Sequence, residues 1–388
     1  MHESNVKGED YMKVVVAIDS LKGSLSSVDA GNAIKEGVLK ACPDAEVLVK
    51  PLADGGEGTI EALVEGMKGT KYKIEVHGPL DKKVTASYGI IEEGEKTAII
   101  EMAQAAGITL VSKQERNPLY TTTYGVGEII KDAIHRGCRS FIVGIGGSAT
   151  NDAGVGMMQA LGYKFYDVDG NLLGLGGQIL SKIHRIDDTE ALKELSECIF
   201  KVACDVDNPL YGKNGASYIY GPQKGATEEI VKILDKGLIN LSKVVKNTYG
   251  VSDENIPGAG AAGGLGYGFM TFLGGKLESG IDIILKEINL EEDIKDADVV
   301  VTGEGRLDAQ TVMGKAPIGV AKLAKKYSKK VIGLGGSLTN DAYKANQHGI
   351  DAVFSIVNEP MTLEKAMEPE VAKFNLKMTA MQIFNLMR

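Results

Sequence analysis

The chain has 388 residues, enough for two or three domains, and its 44% hydrophobic and 24% charged residues are ordinary for a folded globular protein. A net charge of −9 excludes a general nucleic-acid binder, which needs a basic surface, but leaves room for a small anionic ligand at a locally positive site. The four cysteines lack CxxC spacing, the five histidines are scattered, and no apolar run reaches the length of a membrane span or signal core. A cytoplasmic protein with reduced thiols and no zinc site is expected.

Residues 1–11 read as a polar extension, expected to be disordered and given no function. Lys13 to Ile18, KVVVAI, is a continuous apolar strand of the kind buried on both faces of a parallel sheet. It ends in Asp19-Ser20-Leu21-Lys22-Gly23-Ser24, and a helix is expected from an N-cap at Ser27. Glu46 to Lys50 is the next strand, and Pro51 to Thr59 forms a Gly-rich turn carrying Asp54 and Glu57. This alternation predicts a doubly wound α/β layer. Three strands follow, Tyr72–His77, Val84–Ile91 and Thr97–Ile100. Their turns make a meander, so the chain leaves its first domain near here. A helix is expected over Thr121–Gly137.

Phe141 to Gly154, FIVGIGGSATNDAG, is the most informative stretch. A short strand turns on Gly144, Gly146 and Gly147, then meets Ser148, Thr150, Asn151 and Asp152, which can cap a following helix. Such a turn suits an anion, because glycine lets the backbone approach and free N–H groups point at negative charge. Gly144-x-Gly146-x-x-Ala149, with Asp167 beyond, also fits a dinucleotide fingerprint. Beyond it lie a strand over Phe200–Val206 carrying Asp205, a turn over Tyr218–Ala226 holding Lys224, and a helix over Thr227–Tyr249. Pro257 to Gly268, PGAGAAGGLGYG, reads either as a close-approach segment or as a hinge. Strands Asp298–Val301, Lys330–Gly333 and Ala352–Ile356 flank a helix at Pro317–Tyr327, and the tail beyond Leu363 is helical. VGIGGSATND at 143–152 echoes IGLGGSLTND at 332–341, so two strand ends are expected to be shaped alike.

The strand-end loops gather Asp19, Lys22, Ser24, Ser148, Asp205, Lys224, Glu304, Arg306, Asp308 and Lys315. In open α/β sheets ligands bind beyond the carboxyl ends of the strands. Carboxylates that can hold Mg²⁺, together with cations for phosphate oxygens, suit phosphoryl transfer. Hydride transfer would leave most of this set idle. A Walker A loop is absent, which excludes P-loop kinases only.

Several segments together resemble the type 1 glycerate kinase family: DSLKGSLS (19–26), PLADGGEGT (51–59), GIGGSATNDAGVG (144–156), ACDVDNPLYGKNGA (203–216), GPQKGA (221–226), GAGAAGGLG (258–266), TGEGRLDAQT (302–311) and GKAPIGVA (314–321). The resemblance implies a two-domain α/β protein. Its flavodoxin-like doubly wound domain is formed by both chain ends, 12–80 and 296–388. A mixed α/β domain is inserted at 81–295, and the active site lies in the cleft between the two. It also implies ATP-dependent phosphorylation of D-glycerate, at the 2-hydroxyl ahead of the 3-hydroxyl. The partners would be D-glycerate and ATP, with no nucleic acid and no membrane; a homo-oligomer is compatible.

Roles then follow from chemistry. Asp205 is the first choice for the base or a metal ligand and Asp19 the second, with Lys22 beside it. Lys22, Lys224 and Arg306 suit the glycerate carboxylate or phosphate oxygens, Arg in a bidentate manner, and Ser24 joins the substrate set. Gly146, Gly147, Ser148, Thr150 and Asn151 are expected to contact phosphate, and Glu304 and Asp308 to hold Mg²⁺. A nicotinamide-dependent dehydrogenase and a non-enzymatic sugar-acid sensor are the readings of other classes.

Overall fold

A computed structural model describes residues 11–53 and 58–388. Residues 1–10 of the expected extension, and Asp54 and Glu57, lie outside the described residues. In chain order the strands are β1 (Lys13–Ile18), β2 (Glu46–Pro51), β3 (Thr70–His77), β4 (Lys83–Ile91), β5 (Thr97–Glu101), β6 (Ser140–Gly144) and β7 (Lys164–Tyr166). They continue with β8 (Arg185–Asp187), β9 (Ile199–Ala203), β10 (Lys276–Glu278), β11 (Val299–Leu307), β12 (Lys330–Leu338) and β13 (Ala352–Ser355).

The chain divides into two compact units. Of the described residues, the first comprises 11–53, 61–67 and 284–388, and the second comprises 58–60 and 68–283.

In the first unit five strands run in the order β13-β12-β11-β1-β2, and every pairing is parallel. Renumbered within the unit this is the 2-1-3-4-5 order of flavodoxin-like sheets. Parallel strands covered on both faces must be apolar throughout, and Val14 to Ile18 are all buried. Helices Ser27–Ala41 and Pro369–Met387 pack on one another and bring Ile34, Val38, Leu376 and Phe384 into a core with Val14, Val16 and Val301. The N-cap of the first helix is Ser26, whose side chain accepts from Asp29 N, one residue before the expected Ser27. Ser27 turns inward instead. Its Oγ donates to Ile18 O and accepts from Leu52 N, tying the helix start to two neighbouring loops.

β11 and β12 run past their expected ends at Val301 and Gly333, to Leu307 and Leu338. Glycine makes this extension sterically feasible: a Cβ at Gly336 would lie 2.5 Å from Gly305 O.

The second unit holds a six-stranded mixed sheet, β10-β9-β6-β5-β4-β3, with β3, β4 and β5 as the antiparallel meander. β5, β6, β9 and β10 are parallel. Phe141 and Phe200 stack at 4.7 Å in its core, beside Phe269. The helix expected over 121–137 spans Tyr124–His135. Thr121 and Thr123 precede it because their side chains are committed elsewhere: Thr121 Oγ1 donates to Ala149 O, and Thr123 donates through N and Oγ1 to Asp152 Oδ2. The strand expected to carry Asp205 ends at Ala203. The expected turn at 218–226 contains the helix Ala216–Tyr220 and a short 3-10 turn, Pro222–Lys224.

The Gly-rich 257–268 segment is packed backbone. It leads into the helix Ala261–Leu273, with Ala262, Gly263 and Gly264 in left-handed conformation. A Cβ on Gly263 would lie 2.0 Å from Thr150 O, so only glycine lets the two backbones meet, and Gly263 O accepts from Ala153 N. This close fit favours the close-approach reading over the hinge. The two echoing strand ends also differ. β6 stops at Gly144 and turns, whereas β12 continues through Gly335, Gly336 and Ser337.

Candidate active site

In the first unit the carboxyl ends of β1, β11, β12 and β13 surround a cavity of about 420 Å³. Six of the sequence-predicted residues line it: Asp19, Lys22, Ser24, Glu304, Arg306 and Asp308. Lys315, also gathered among the strand-end loops, joins them. Asp19, Lys22 and Ser24 follow the end of β1, Glu304 and Arg306 sit in the extended end of β11 with Asp308 just beyond it, and Lys315 is the N-cap of the helix Ala316–Lys326.

The charges are held in place. Asp19 is buried; its backbone N donates to Gly303 O, and its Oδ1 accepts from Ser20 N at 2.6 Å. Glu304 is buried, with Oε1 accepting from Thr311 Oγ1 at 2.7 Å and Oε2 3.7 Å from Lys315 Nζ. Asp308 Oδ1 accepts from Gln310 N, and its Oδ2 lies 3.5 Å from Arg306 Nε. Arg306 is 66% exposed, so its guanidinium stands at the mouth of the cavity.

Leu21, Ile356, Val357, Leu363, Met367 and Asn375 also line the cavity. The tail is expected to be helical, but sequence reading does not single out Asn375, which lies among the buried positions Ala372, Leu376 and Ala380. A polar side chain at that register, flanked by core positions, is the signal that could have found it.

The remaining predicted residues belong to the second unit. Gly146 and Gly147 are exposed at the turn after β6. Ser148 is buried and forms an isolated bridge with Gly107. Lys224 is 2% exposed; its Nζ donates to Ser148 Oγ at 2.6 Å and to Thr150 O at 2.7 Å. Burial pushes the Lys224 amine down to about 7, opposed by the charge of Asp152.

Thr150 and Asn151 are wholly buried, and Asn151 Nδ2 donates to Ser217 Oγ. Thr150 Oγ1 is buried with no hydrogen bond, while the Asn151 amide and the Lys224 amine brace the loop from inside the fold. Asp152 does the same. Its Oδ2 accepts from Thr123 and Gly156, its Oδ1 from Gly154 N, and burial raises its pKa against those bonds. Asp205 is exposed beyond β9, with Oδ1 accepting from Gly280 N at 3.1 Å.

The dinucleotide reading of Gly144, Gly146 and Ala149 does not fit this geometry. The helix that follows starts only at Val155 and is six residues long. Asp167 closes a local turn by accepting from the backbone N–H groups of Asp169 and Asn171.

A sheet edge of this kind is where α/β proteins bind small charged ligands. A protein-family model described as the glycerate kinase family matches residues 14–388. Glycerate 2-kinase of Escherichia coli K12 is 51% identical over 355 residues, covering 92% of this chain and 93% of that protein. A glycerate kinase of Bacillus subtilis is 47% identical over 357 residues, with 92% and 93% covered. A crystal structure from Salmonella typhimurium LT2, described as a candidate glycerate kinase 2, superposes with a TM-score of 0.90 at 46% identity, covering 97% of this chain and 98% of that one. The chain belongs to the glycerate kinase family.

Among the described residues no helix is long and apolar enough to cross a membrane.

Proposed function

We propose that this chain transfers the γ-phosphoryl group of ATP to D-glycerate, at the 2-hydroxyl, giving 2-phosphoglycerate and ADP. The observation that carries this reading is the meeting of Asp19, Glu304 and Asp308 with Lys22, Arg306 and Lys315 around one cavity. Phosphoryl transfer asks a protein mainly for positioning and electrostatic stabilisation, and this set supplies both signs of charge at one place.

Asp19 is assigned as the general base that takes the hydroxyl proton; it is buried at a strand end within the cavity. Asp205 is the alternative base, exposed in the second unit. Lys22, Arg306 and Lys315 steady phosphate or carboxylate oxygens, and Gly146, Gly147 and Ser148 are assigned to anion contacts in the second unit.

Among the described residues no group of three or more His, Cys, Asp or Glu is gathered for a metal. Mg²⁺ is commonly held by one or two carboxylates, with waters and phosphates completing its shell. Glu304 and Asp308 are the pair that would hold it, and Mg²⁺ when bound would neutralise charge on the phosphate oxygens.

The test is ATP consumption with D-glycerate and Mg²⁺, with the product identified by phosphorus NMR. A 2-phosphoglycerate signal is expected. A 3-phosphoglycerate signal would reverse the regiochemistry. No turnover by folded protein would overturn the reading, and tight glycerate binding without turnover would favour the sensor. Stabilisation by a nicotinamide cofactor but not by Mg-ATP would favour the dehydrogenase.

A further inference from the structure

The lining of the first-unit cavity carries two kinds of chemistry. Its charged groups come from the strand ends, and most of its apolar groups from the loop after β13 and the two C-terminal helices, Leu363–Met367 and Pro369–Met387. Two polar groups on its lining lack partners. Ser24 Oγ is buried with no hydrogen bond. Asn375 is 5% exposed, lines the cavity, and makes no side-chain hydrogen bond among the described residues. A buried polar group left unpaired is costly, so Ser24 Oγ calls for a ligand that pairs it, and the Asn375 side chain lines the same cavity.

We propose that the apolar part of the lining is the nucleobase subsite of the nucleotide, with the Asn375 amide reading adenine. This rests on the ATP-dependent reading above. A side-chain amide presents a donor beside an acceptor, and adenine presents its N6 amino group beside a ring nitrogen acceptor, so the two pair in a bidentate way. The base lies against Ile356, Val357 and Met367, apolar groups that suit a flat aromatic ring. Ser24 Oγ takes an oxygen of the sugar–phosphate, and the phosphates run toward Lys22, Arg306 and Lys315. A cavity of about 420 Å³ falls within the range of about 300–1,000 Å³ usual for ligands much larger than a three-carbon acid. The cavity's size, its apolar lining groups and the unpaired amide thus favour nucleotide over glycerate as its main occupant.

The experiment compares wild type with Asn375→Leu and Met367→Trp. Adenosine 5′-diphosphate binding is measured by calorimetry, and separate KM values are determined for ATP, GTP and D-glycerate. Asn375→Leu is expected to weaken ADP binding and raise the ATP KM by about tenfold, in keeping with the loss of one bidentate pair. It is also expected to erase most of the preference for ATP over GTP, with the D-glycerate KM unchanged. Met367→Trp fills the base volume and is expected to raise the ATP KM while sparing that of D-glycerate; it keeps the test decisive if the helix variant fails to fold.

A rise in the D-glycerate KM with ATP unaffected would overturn the subsite and give the cavity to the acid. Undiminished ADP binding and an unchanged ATP KM in both variants would overturn it as well. Wild type that binds ADP, and loses it in the variants, yet does not phosphorylate D-glycerate would sink the proposed function while leaving the subsite standing.

Discussion

Lys224 Nζ lies 2.6 Å from Ser148 Oγ, and the same amine donates to Thr150 O at 2.7 Å. One buried lysine thus holds the far side of a glycine turn whose Gly146 and Gly147 face solvent. The arrangement costs stability at low pH, because the amine is charged where no water reaches it.

That cost has a defined pH window. The folded pKa of Lys224 is depressed to about 7, below its ordinary value of 10.5, so between the two the unfolded chain binds the extra proton. Stability contributed by this site therefore rises with pH from about 7 upward, by at most about 1.4 kcal/mol per pH unit. Lys224→Met removes the titrating group. Urea unfolding at pH 7 and pH 9 is expected to show a rise for wild type that the variant lacks; parallel behaviour of the two would contradict the buried charge.

Arg306 separates function from stability. Its ion pair with Asp308 is long, at 3.5 Å, and largely exposed, a kind worth about 0–1 kcal/mol. Arg306→Ala is expected to leave the melting temperature almost unchanged and to reduce kcat/KM by at least about tenfold, since charged hydrogen bonds to an anion are the stronger ones. A large fall in melting temperature with activity retained would make Arg306 a structural residue.

Thr311 is expected to act through Glu304. The 2.7 Å bond from Thr311 Oγ1 fixes one carboxylate oxygen of Glu304. Thr311→Val removes it and is expected to raise the Mg²⁺ concentration needed for half-maximal rate by about tenfold, the smaller end of what supporting bonds around metal ligands contribute. Thr311→Ser should restore most of it. An unchanged Mg²⁺ titration would remove Glu304 from the metal set.

Gly263→Ala tests the packed-backbone account of the Gly-rich segment. A Cβ there would meet Thr150 O at 2.0 Å, from a φ of +72°. A loss of about 3 kcal/mol or more is expected, because clash and left-handed strain act together. A thermal melt close to that of wild type would mean that the segment yields, as a hinge would.

Much of the fold was legible because its strands state themselves. Val14-Val15-Val16-Ala17-Ile18 allows only a strand buried on both faces, and the meander over β3, β4 and β5 follows its turns. The boundaries were less legible where a side chain had two uses, as with Ser26 and Ser27, or Thr121 and Thr123. Asp19, Lys22, Glu304, Arg306 and Asp308 could be gathered because strand ends of a parallel sheet share one edge. The burial of Thr150 and Asn151 was invisible, since the groups that cover them, Ser217, Lys224 and Gly263, come from much later in the chain. Asn375 offered one signal, a polar side chain among apolar core positions, but only the folded helix shows that it lines that cavity.

The most direct measurement is the turnover number of Asp19→Asn with saturating ATP, D-glycerate and Mg²⁺, beside Asp205→Asn and with folding verified by circular dichroism. If the first-unit cavity carries the phosphoryl chemistry with Asp19 as base, Asp19→Asn loses about 10²–10⁴-fold in kcat and Asp205→Asn loses little. Near-normal turnover by Asp19→Asn, with the large loss falling on Asp205→Asn, would contradict the account.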